Sequence, residues 1–148
     1  MGDTFEPDMT KLFCTLVNGK RRVLDVGANI GCTALLFAQL ADKVVSFEPS
    51  LSTYEFLKAN IAGSGFDHIE LHNVGLGKED EDLTLTFDRH NRSGSFISSR
   101  VQALAEYAVE KVSIRKGDTY LASINPLKKR LISSKSTWKD LDWTFSRG

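Results

Sequence analysis

The feature that most constrains the fold is an alternation of short apolar runs with longer, helix-like segments. The runs are VLDVG, KVVSFEP and HIELHNVGL, and the segments between them are CTALLFAQLA and SLSTYEFLKANIAGSG. Short apolar runs are typical of strands buried in a parallel sheet, and the segments between them are long enough for crossover helices. The alternation predicts an α/β fold, the βαβαβ half of a doubly wound sheet. Because such crossovers are right-handed, we expect the strand order third, second, first.

Other local patterns extend this prediction on both sides. Apolar residues at helical spacing followed by Asn18-Gly19 predict an N-terminal helix within residues 1–19. The second crossover helix has Ser50 or Ser52 as its predicted N-cap, with Glu55 as the capping-box partner of Ser52. After residue 76, LTLTF and EKVSIRK alternate apolar and polar residues and predict an antiparallel hairpin. Between them, residues 88–100 form a polar segment with three arginines, which we interpret as a solvated loop or, alternatively, a substrate contact.

Composition and charge exclude several classes of partner. The 148 residues suffice for one domain, and Lys plus Arg balance Asp plus Glu at 19 each, so no net field attracts nucleic acid or an anionic membrane. No apolar run approaches the roughly 20 residues of a membrane span, and the N-terminus lacks the features of a signal peptide. The chain's two cysteines and three histidines have no ligand-like spacing, which predicts no metal site. These are Cys14, Cys32, His68, His72 and His90. We expect a reduced, cytoplasmic protein with structural or exposed histidines.

The turns after the first two strands are the candidate ligand site. Ligands of open parallel sheets bind beyond the carboxyl ends of the strands, and both turns lie at that edge. Gly27 and Gly31 let the backbone approach a ligand closely, and the following helix directs free N–H groups there. Asp25 is the only polar residue of its strand. Glu48 ends the next strand, where a carboxylate can accept hydrogen bonds from a ribose diol.

The residue types favour one nucleoside cofactor over another. A dinucleotide fingerprint reads G-x-G-x-x-G, and Asn29 stands where its second Gly would be. The Asp25 carboxylate would repel a pyrophosphate but could pair with an ammonium group. A ligand that combines an amino acid with adenosine therefore fits better than NAD, which remains the alternative. S-adenosyl-L-methionine is such a ligand.

The segments D-V-G-A-N-I-G and F-E-P, with IELHNVGLG after them, resemble the FkbM-type S-adenosylmethionine-dependent methyltransferases over roughly residues 20–121. The resemblance implies a Rossmann-like methyltransferase fold, of which this chain carries the N-terminal portion with an added antiparallel hairpin. It also implies that the following residues bind the cofactor: Asp25, Gly27, Ala28, Asn29 and Gly31 around the methionine moiety, Glu48 on the ribose hydroxyls, and Asn73 near the adenine. The family transfers a methyl group to a nucleophile, often a hydroxyl of a sugar or another small molecule.

The last residues depart from the family pattern. Where the family has a core strand reading approximately I-K-I-D-V-E-G, this chain has KKRLISSKSTWKDLDWTFSRG. Reading from the third base of each codon necessarily converts Trp138-Lys139 into Glu, and with ordinary codon choices it restores the family strand. We therefore expect three parts: a helix over 1–19, a partial methyltransferase domain over 20–127, and an irregular tail over 128–148 that is a frameshift product. Without the missing strand, the first strand would be an exposed apolar edge prone to self-association.

These observations predict a methyltransferase acting on a small-molecule hydroxyl, with reduced or no activity in this chain alone. The catalytic residues stay unassigned, because the family's acceptor contacts come largely from the part that this chain lacks. A non-catalytic module that binds a nucleoside or another protein chain is the alternative, and a NAD-dependent oxidoreductase is less favoured.

Overall fold

The computed structural model describes residues 7–88, 96–97, 107–124 and 144–147. It contains four helices and eight strands within those ranges. In chain order they are α1 (Pro7–Val17), β1 (Val23–Val26), α2 (Cys32–Ala38), β2 (Val44–Phe47), α3 (Leu51–Ser64), β3 (Ile69–His72), β4 (Gly75–Gly77), β5 (Glu81–Asp88), β6 (Phe96–Ile97), β7 (Tyr107–Lys116), α4 (Gly117–Ile124) and β8 (Thr144–Arg147). His90, most of loop 88–100 and residues 125–143 lie outside the described residues.

The first sheet is parallel and has the order β3-β2-β1-β8. Val23 of β1 pairs with Val44 of β2, which in turn pairs with Ile69 of β3. The crossover helices α2 and α3 connect these strands, as expected for a βαβαβ unit. The result is an α/β architecture whose strands β1 and β2 both end next to the turns that carry the candidate site residues.

The expectation that β1 forms an exposed edge is wrong. Residues 144–147 form β8, which runs parallel to β1 with Val23 opposite Thr144 and Val26 opposite Arg147. The prediction of an irregular tail over 128–148 is therefore wrong for these four residues. Sequence inspection missed them because TFSR has neither the length nor the apolar character of a typical buried strand. The predicted boundary at residues 127 and 128 lies outside the described residues, as does the rest of the predicted frameshifted segment apart from β8.

Apolar side chains pack on both faces of the first sheet. One face carries helices α1 to α3, where Phe37 and Leu57 are fully buried and Phe13 meets Phe37 edge to face at 5.5 Å between ring centroids. The other face carries α4, where Leu121 packs with Phe47. Burial on both faces explains why the strands are continuous apolar runs, and polar residues within them require a separate explanation.

The second sheet has the order β4-β7-β5-β6. Strands β5 and β7, the two segments with alternating polarity, pair antiparallel, whereas β4 runs parallel to β7. The run HIELHNVGL, read from sequence as one strand, is divided by Asn73-Val74 between β3 of the first sheet and β4 of the second. Gly75 and Gly77 let the Ile114 side chain of β7 lie against β4, because a Cβ at either position would come within 2.6 Å of it. A larger residue at either position would require Ile114 to shift.

Helix α3 begins at a serine cap. Ser50 has extended backbone angles, and its hydroxyl accepts the amide proton of Thr53 at 3.3 Å. The helix ends at Gly65, which adopts the left-handed conformation typical of a helix terminus. Ser50 and not Ser52 is therefore the N-cap, and the predicted capping box with Glu55 is wrong because the third helical residue is Thr53.

No helix within the described ranges is long and apolar enough to cross a membrane.

Candidate cofactor site

The turn between β1 and α2 is built from residues with left-handed backbone angles. The φ angles of Gly27, Asn29 and Gly31 are 79°, 52° and 101°. Glycine adopts such angles without strain, and asparagine is among the few other residues that tolerate them. The amides of Gly27 and Ala28 both donate to the carbonyl of Phe47, at 2.9 and 3.0 Å, which fixes this turn against the end of β2.

Gly31 serves packing as well as conformation. A Cβ built on it would lie 2.8 Å from Cδ1 of Leu57, so the absence of a side chain lets α3 pack directly on the turn. The turn is also held from outside, because the Asn60 side chain donates to the carbonyl of Ile30 at 2.8 Å. The two glycines predicted from sequence thus have different roles, since nothing lies within 4 Å of a Cβ built on Gly27.

Glu48 connects the turns that follow β1 and β2. Its Oε2 accepts the amide proton of Asn29 at 2.9 Å, and its Oε1 accepts that of Ser50 at 3.0 Å. The side chain is buried, with 8% of the residue surface exposed. Burial raises the pKa of Glu48, the two backbone donors oppose this rise, and the nearby charge of Glu110 adds to it. An ionised carboxylate has about four acceptor positions, so Glu48 retains acceptor capacity for a ligand.

Asp25 is a fully buried carboxyl group with no hydrogen bond to any described residue. It has no exposed surface, and neither carboxyl oxygen has a partner among the described residues. Its strand neighbour Ser46, directly opposite in register, is also buried, and its hydroxyl is likewise unpartnered. Burial raises the pKa of Asp25 to about 7, the charge of Glu48 adds to the rise, and the nearby Ser46 hydroxyl opposes it. A buried acid of this kind is costly unless something compensates it, and such groups cluster at functional sites.

Asn73 lies at the carboxyl end of β3, as its position in the sequence indicates. Its side-chain nitrogen donates to the carbonyls of Glu48 and Pro49, at 2.8 and 3.2 Å. The amide group therefore supports the main chain of the turn that carries Glu48. Its predicted contact with adenine stays a prediction, for which the side-chain oxygen is the atom to consider.

Sequence inspection missed Glu110, a residue of β7. Its Oε1 accepts the amide proton of Ser52 at 3.0 Å, and its Oε2 accepts the hydroxyls of Ser50 and Ser52 at 2.8 and 3.1 Å. Nothing in the local sequence indicates this contact, because the partners are 58 and 60 positions apart. Alternation along β7 could have shown only that Glu110 shares a face with the buried Val112.

A second polar cluster, also missed, joins β3 to α4. His72 Nδ1 lies 3.0 Å from the Tyr120 hydroxyl, and His72 Nε2 lies 2.8 Å from Glu70 Oε1. Lys43 approaches the other oxygen of Glu70 at 2.5 Å. Burial alone would raise the pKa of Glu70, but contact with Lys43 and His72 brings it below the usual value. The ring of His72 stacks on Phe47, with centroids 5.2 Å apart, so this histidine is part of the packing.

The structure thus brings most of the predicted site residues to one edge of the first sheet. Asp25 lies in β1, Glu48 directly follows the neighbouring strand β2, and the turn of Gly27, Ala28 and Asn29 is hydrogen-bonded to the end of β2. Within the described residues, no group of three or more histidine, cysteine, aspartate or glutamate side chains has the arrangement of a metal site.

One curated relative has similarity to part of this chain. Methyltransferase 1 of Beauveria bassiana (strain ARSEF 2860) is 31% identical over 67 residues, which are 44% of this chain. The chain spans 27% of the length of that relative. No protein-family model matches the chain.

Solved structures with similarity to the chain include two from streptococci. An rRNA methylase from Streptococcus thermophilus has a TM-score of 0.44 at 17% identity, covering 51% of this chain and 42% of its own. A protein from Streptococcus mutans described as a methyltransferase, solved in complex with SAH, has a TM-score of 0.45 at 13% identity, covering 51% and 43%. These descriptions name methyltransferases and do not distinguish the FkbM type that the sequence motifs resemble.

Proposed function

We propose that this chain carries the cofactor-binding half of an FkbM-like methyltransferase and binds S-adenosyl-L-methionine at the carboxyl edge of β1 and β2. The observation that carries the proposal is the pair of buried acids, Asp25 and Glu48, on neighbouring strand ends beside a turn with left-handed residues. The relative from Beauveria bassiana supports it, because that protein is named a methyltransferase.

The unpartnered oxygens of Asp25 fit the cationic part of this cofactor. An ammonium group paired with Asp25 would offset the free-energy cost of burying the carboxylate. A negatively charged pyrophosphate would instead increase that cost. Glu48, already oriented by two backbone amides, has remaining acceptor positions for the two hydroxyls of a ribose. Gly27, Ala28, Asn29 and Gly31 would then surround the methionine moiety, and Asn73 would lie towards the adenine.

The bound cofactor supplies an electrophilic methyl group, and the chain's own residues hold and orient it. We propose that the acceptor is a hydroxyl of a sugar or another small molecule, and that the protein acts in the cytoplasm. The resemblance of the DVGANIG and FEP segments to the FkbM type supports this acceptor class, and the balanced charge gives no electrostatic reason to favour nucleic acid. No described residue is assigned as the base that accepts the hydroxyl proton.

Isothermal titration of S-adenosyl-L-methionine and S-adenosylhomocysteine into the purified chain tests the site. We expect saturable binding that Asp25→Asn and Glu48→Gln each weaken about tenfold or more, because each removes a charged ligand contact. Glu55→Gln is the matched control, since Glu55 is an exposed acid on α3 and should leave affinity unchanged. Binding of NAD with equal or higher affinity, or affinity that is insensitive to both site variants, would contradict the proposal.

A radiolabelled methyl-transfer assay tests the acceptor. The panel contains sugars, small hydroxyl compounds and an rRNA fragment, the last because one of the similar structures is an rRNA methylase. Transfer to a small hydroxyl compound supports the proposed acceptor class, and transfer to RNA overturns it. Tight cofactor binding without transfer to any acceptor would instead support the non-catalytic alternative.

A further inference from the structure

Glu110 connects the second sheet to the turn that presents Glu48. Among the described residues of the second sheet, Glu110 is the one whose side chain hydrogen-bonds to the start of α3, through Ser50 and Ser52. In β7 it lies opposite Leu85, and both residues point towards the same side of that sheet. Three hydrogen bonds to one carboxylate form a specific contact, because charge-assisted hydrogen bonds are among the stronger ones in proteins.

Ser50 contacts both Glu110 and Glu48, and so connects the second sheet to the candidate cofactor site. Its amide donates to Glu48 Oε1, and its hydroxyl both contacts Glu110 and caps α3. The residue is buried, so its position depends on these partners rather than on solvent. On the other side of the turn, Asn73 holds the carbonyls of Glu48 and Pro49. The segment from Glu48 to Ser52 is therefore fixed from two directions, by Asn73 and by Glu110.

We propose that Glu110 is a positioning residue for the cofactor site: by holding Ser50 and Ser52, it orients the Glu48 carboxylate towards the ribose. This inference rests on the proposed function for the identity of the ligand. It makes the second sheet part of the binding apparatus without any contact between Glu110 and the cofactor. A carboxylate that must accept two ribose hydroxyls depends on accurate orientation, which supporting contacts outside the site provide.

A purely structural helix cap would predict a different pattern. If Glu110 only capped α3, its loss would lower the stability of the protein and leave the Ser50 amide and the orientation of Glu48 unaffected. Among the described residues, the charge of Glu110 of β7 raises the pKa of Glu48, the charge of Glu48 in turn raises that of Asp25 of β1, and the amides of Asn29 and Ser50 donate to Glu48. Removing the charge of Glu110 should therefore lower the pKa of Glu48, and removing its side chain should loosen the Ser50 amide.

The test compares Glu110→Gln and Glu110→Ala with Glu81→Gln, the same chemical change at an exposed position of the same sheet. Titration calorimetry with S-adenosylhomocysteine should give about tenfold weaker binding for Glu110→Ala, a smaller loss for Glu110→Gln and no change for Glu81→Gln. Partial rescue by glutamine is expected because its amide oxygen can still accept the Ser52 amide proton. Equal affinity of the wild-type and Glu110→Ala chains would overturn the inference.

Two ligand-free measurements separate this inference from the proposed function. Carbon-13 NMR titration of the Glu48 carboxyl should give a lower pKa in Glu110→Gln, and hydrogen exchange of the Ser50 amide should accelerate at least tenfold in Glu110→Ala. If the wild-type chain binds no S-adenosylhomocysteine, the proposed function fails while these two measurements still judge the role of Glu110. Unchanged Ser50 exchange in Glu110→Ala would overturn it, because the charge of Glu110 alone can shift the pKa of Glu48 without orienting that carboxylate. Glu110→Gln serves for both measurements if the alanine variant does not fold.

Discussion

Asp25 and Ser46 lie directly opposite each other on the two central strands, buried and without hydrogen-bond partners among the described residues. Strand side chains alternate, so both point towards the face covered by α1 to α3, the same face as Val23 and Val44. Two unpartnered polar groups side by side in a core reduce the stability of the unliganded protein, because neither recovers the hydrogen bonds it made to water. The free protein is thus expected to gain stability from a ligand that supplies those partners.

The first prediction concerns the pH dependence of stability. The pKa of Asp25 is about 7 in the folded protein against 3.8 for a free side chain. The native state therefore binds more protons than the unfolded state between these two pH values. The contribution of Asp25 protonation to the free energy of unfolding is thus complete below pH 3.8 and is lost as pH rises through 7. We expect Asp25→Asn to become more stable than the wild type as pH rises across this window, by up to about 4 kcal/mol, measured by urea denaturation.

The control for that prediction is Thr86→Val. Thr86 of β5 is another buried residue whose hydroxyl has no partner among the described residues, and it does not act on Asp25, so its effect on the free energy of unfolding should be nearly equal at pH 5 and pH 8. The free energy of unfolding of Asp25→Asn should still change somewhat with pH, because burial also raises the pKa of Glu48. A wild-type chain whose stability relative to Asp25→Asn is constant between pH 5 and pH 8 would show that Asp25 has an ordinary pKa.

The second prediction concerns Gly31. Alanine at this position meets both a left-handed backbone, with φ of 101°, and a contact of 2.8 Å with the Leu57 side chain. Gly65→Ala is the matched control, since Gly65 has φ of 81° and nothing lies within 4 Å of a built Cβ. We expect Gly65→Ala to cost about 1–2 kcal/mol and Gly31→Ala about 1–3 kcal/mol more, measured by calorimetric unfolding. Equal losses would mean that Leu57 moves aside freely.

The third prediction separates two roles of Asn73. Because its side-chain nitrogen supports the carbonyls of Glu48 and Pro49, Asn73→Ala should lower the stability of the ligand-free protein by about 1–3 kcal/mol. It should also weaken binding of S-adenosylhomocysteine. A variant with unchanged melting temperature and weakened binding would assign Asn73 to direct adenine contact alone. Asn18→Ala, at an exposed position just after α1, provides the reference for a simple amide truncation.

The fourth prediction concerns Tyr120. Its hydroxyl lies 3.0 Å from His72 Nδ1, and its ring also packs at right angles to that of His72. Tyr120→Phe removes the hydroxyl and keeps the ring, so we expect a loss of about 0.5–1.5 kcal/mol in the free energy of unfolding. Burial raises the pKa of Tyr120. Spectrophotometric titration should accordingly find one tyrosine that ionises at higher pH than an ordinary phenol, and that signal should be absent in Tyr120→Phe.

Local sequence patterns sufficed for the elements around β1 and β2. Short apolar runs mark buried strands, and the acids Asp25 and Glu48 stand out because they interrupt or end those runs. The turn glycines could be recognised for the same reason, since Gly27 and Gly31 occupy positions where the chain must reverse into a helix. These signals are local, so reading the sequence alone could place them.

The remaining features depend on contacts between distant residues. Glu110 is the single acid of the alternating strand β7, and only the docking of β7 near α3 shows which residues it contacts. Likewise, the division of HIELHNVGL between two sheets depends on the pairing of β3 with β2 and of β4 with β7. The pairing of β8 with β1 could not be anticipated, because TFSR carries no strong strand pattern.

Asn73 and Val74 form the two-residue connection between the two sheets, and its shortness has a consequence for engineering the protein. Two residues span at most about 7 Å, so the connection has no slack. The residues on either side are also constrained, since Asn73 holds the turn after β2 and Gly75 lies against Ile114. Added residues are tolerated where a chain can bulge into solvent, and this connection offers no such freedom. An insertion here would displace both Asn73 and Gly75 from their contacts. A tag or graft should therefore be placed at the exposed tip of residues 78–80 instead.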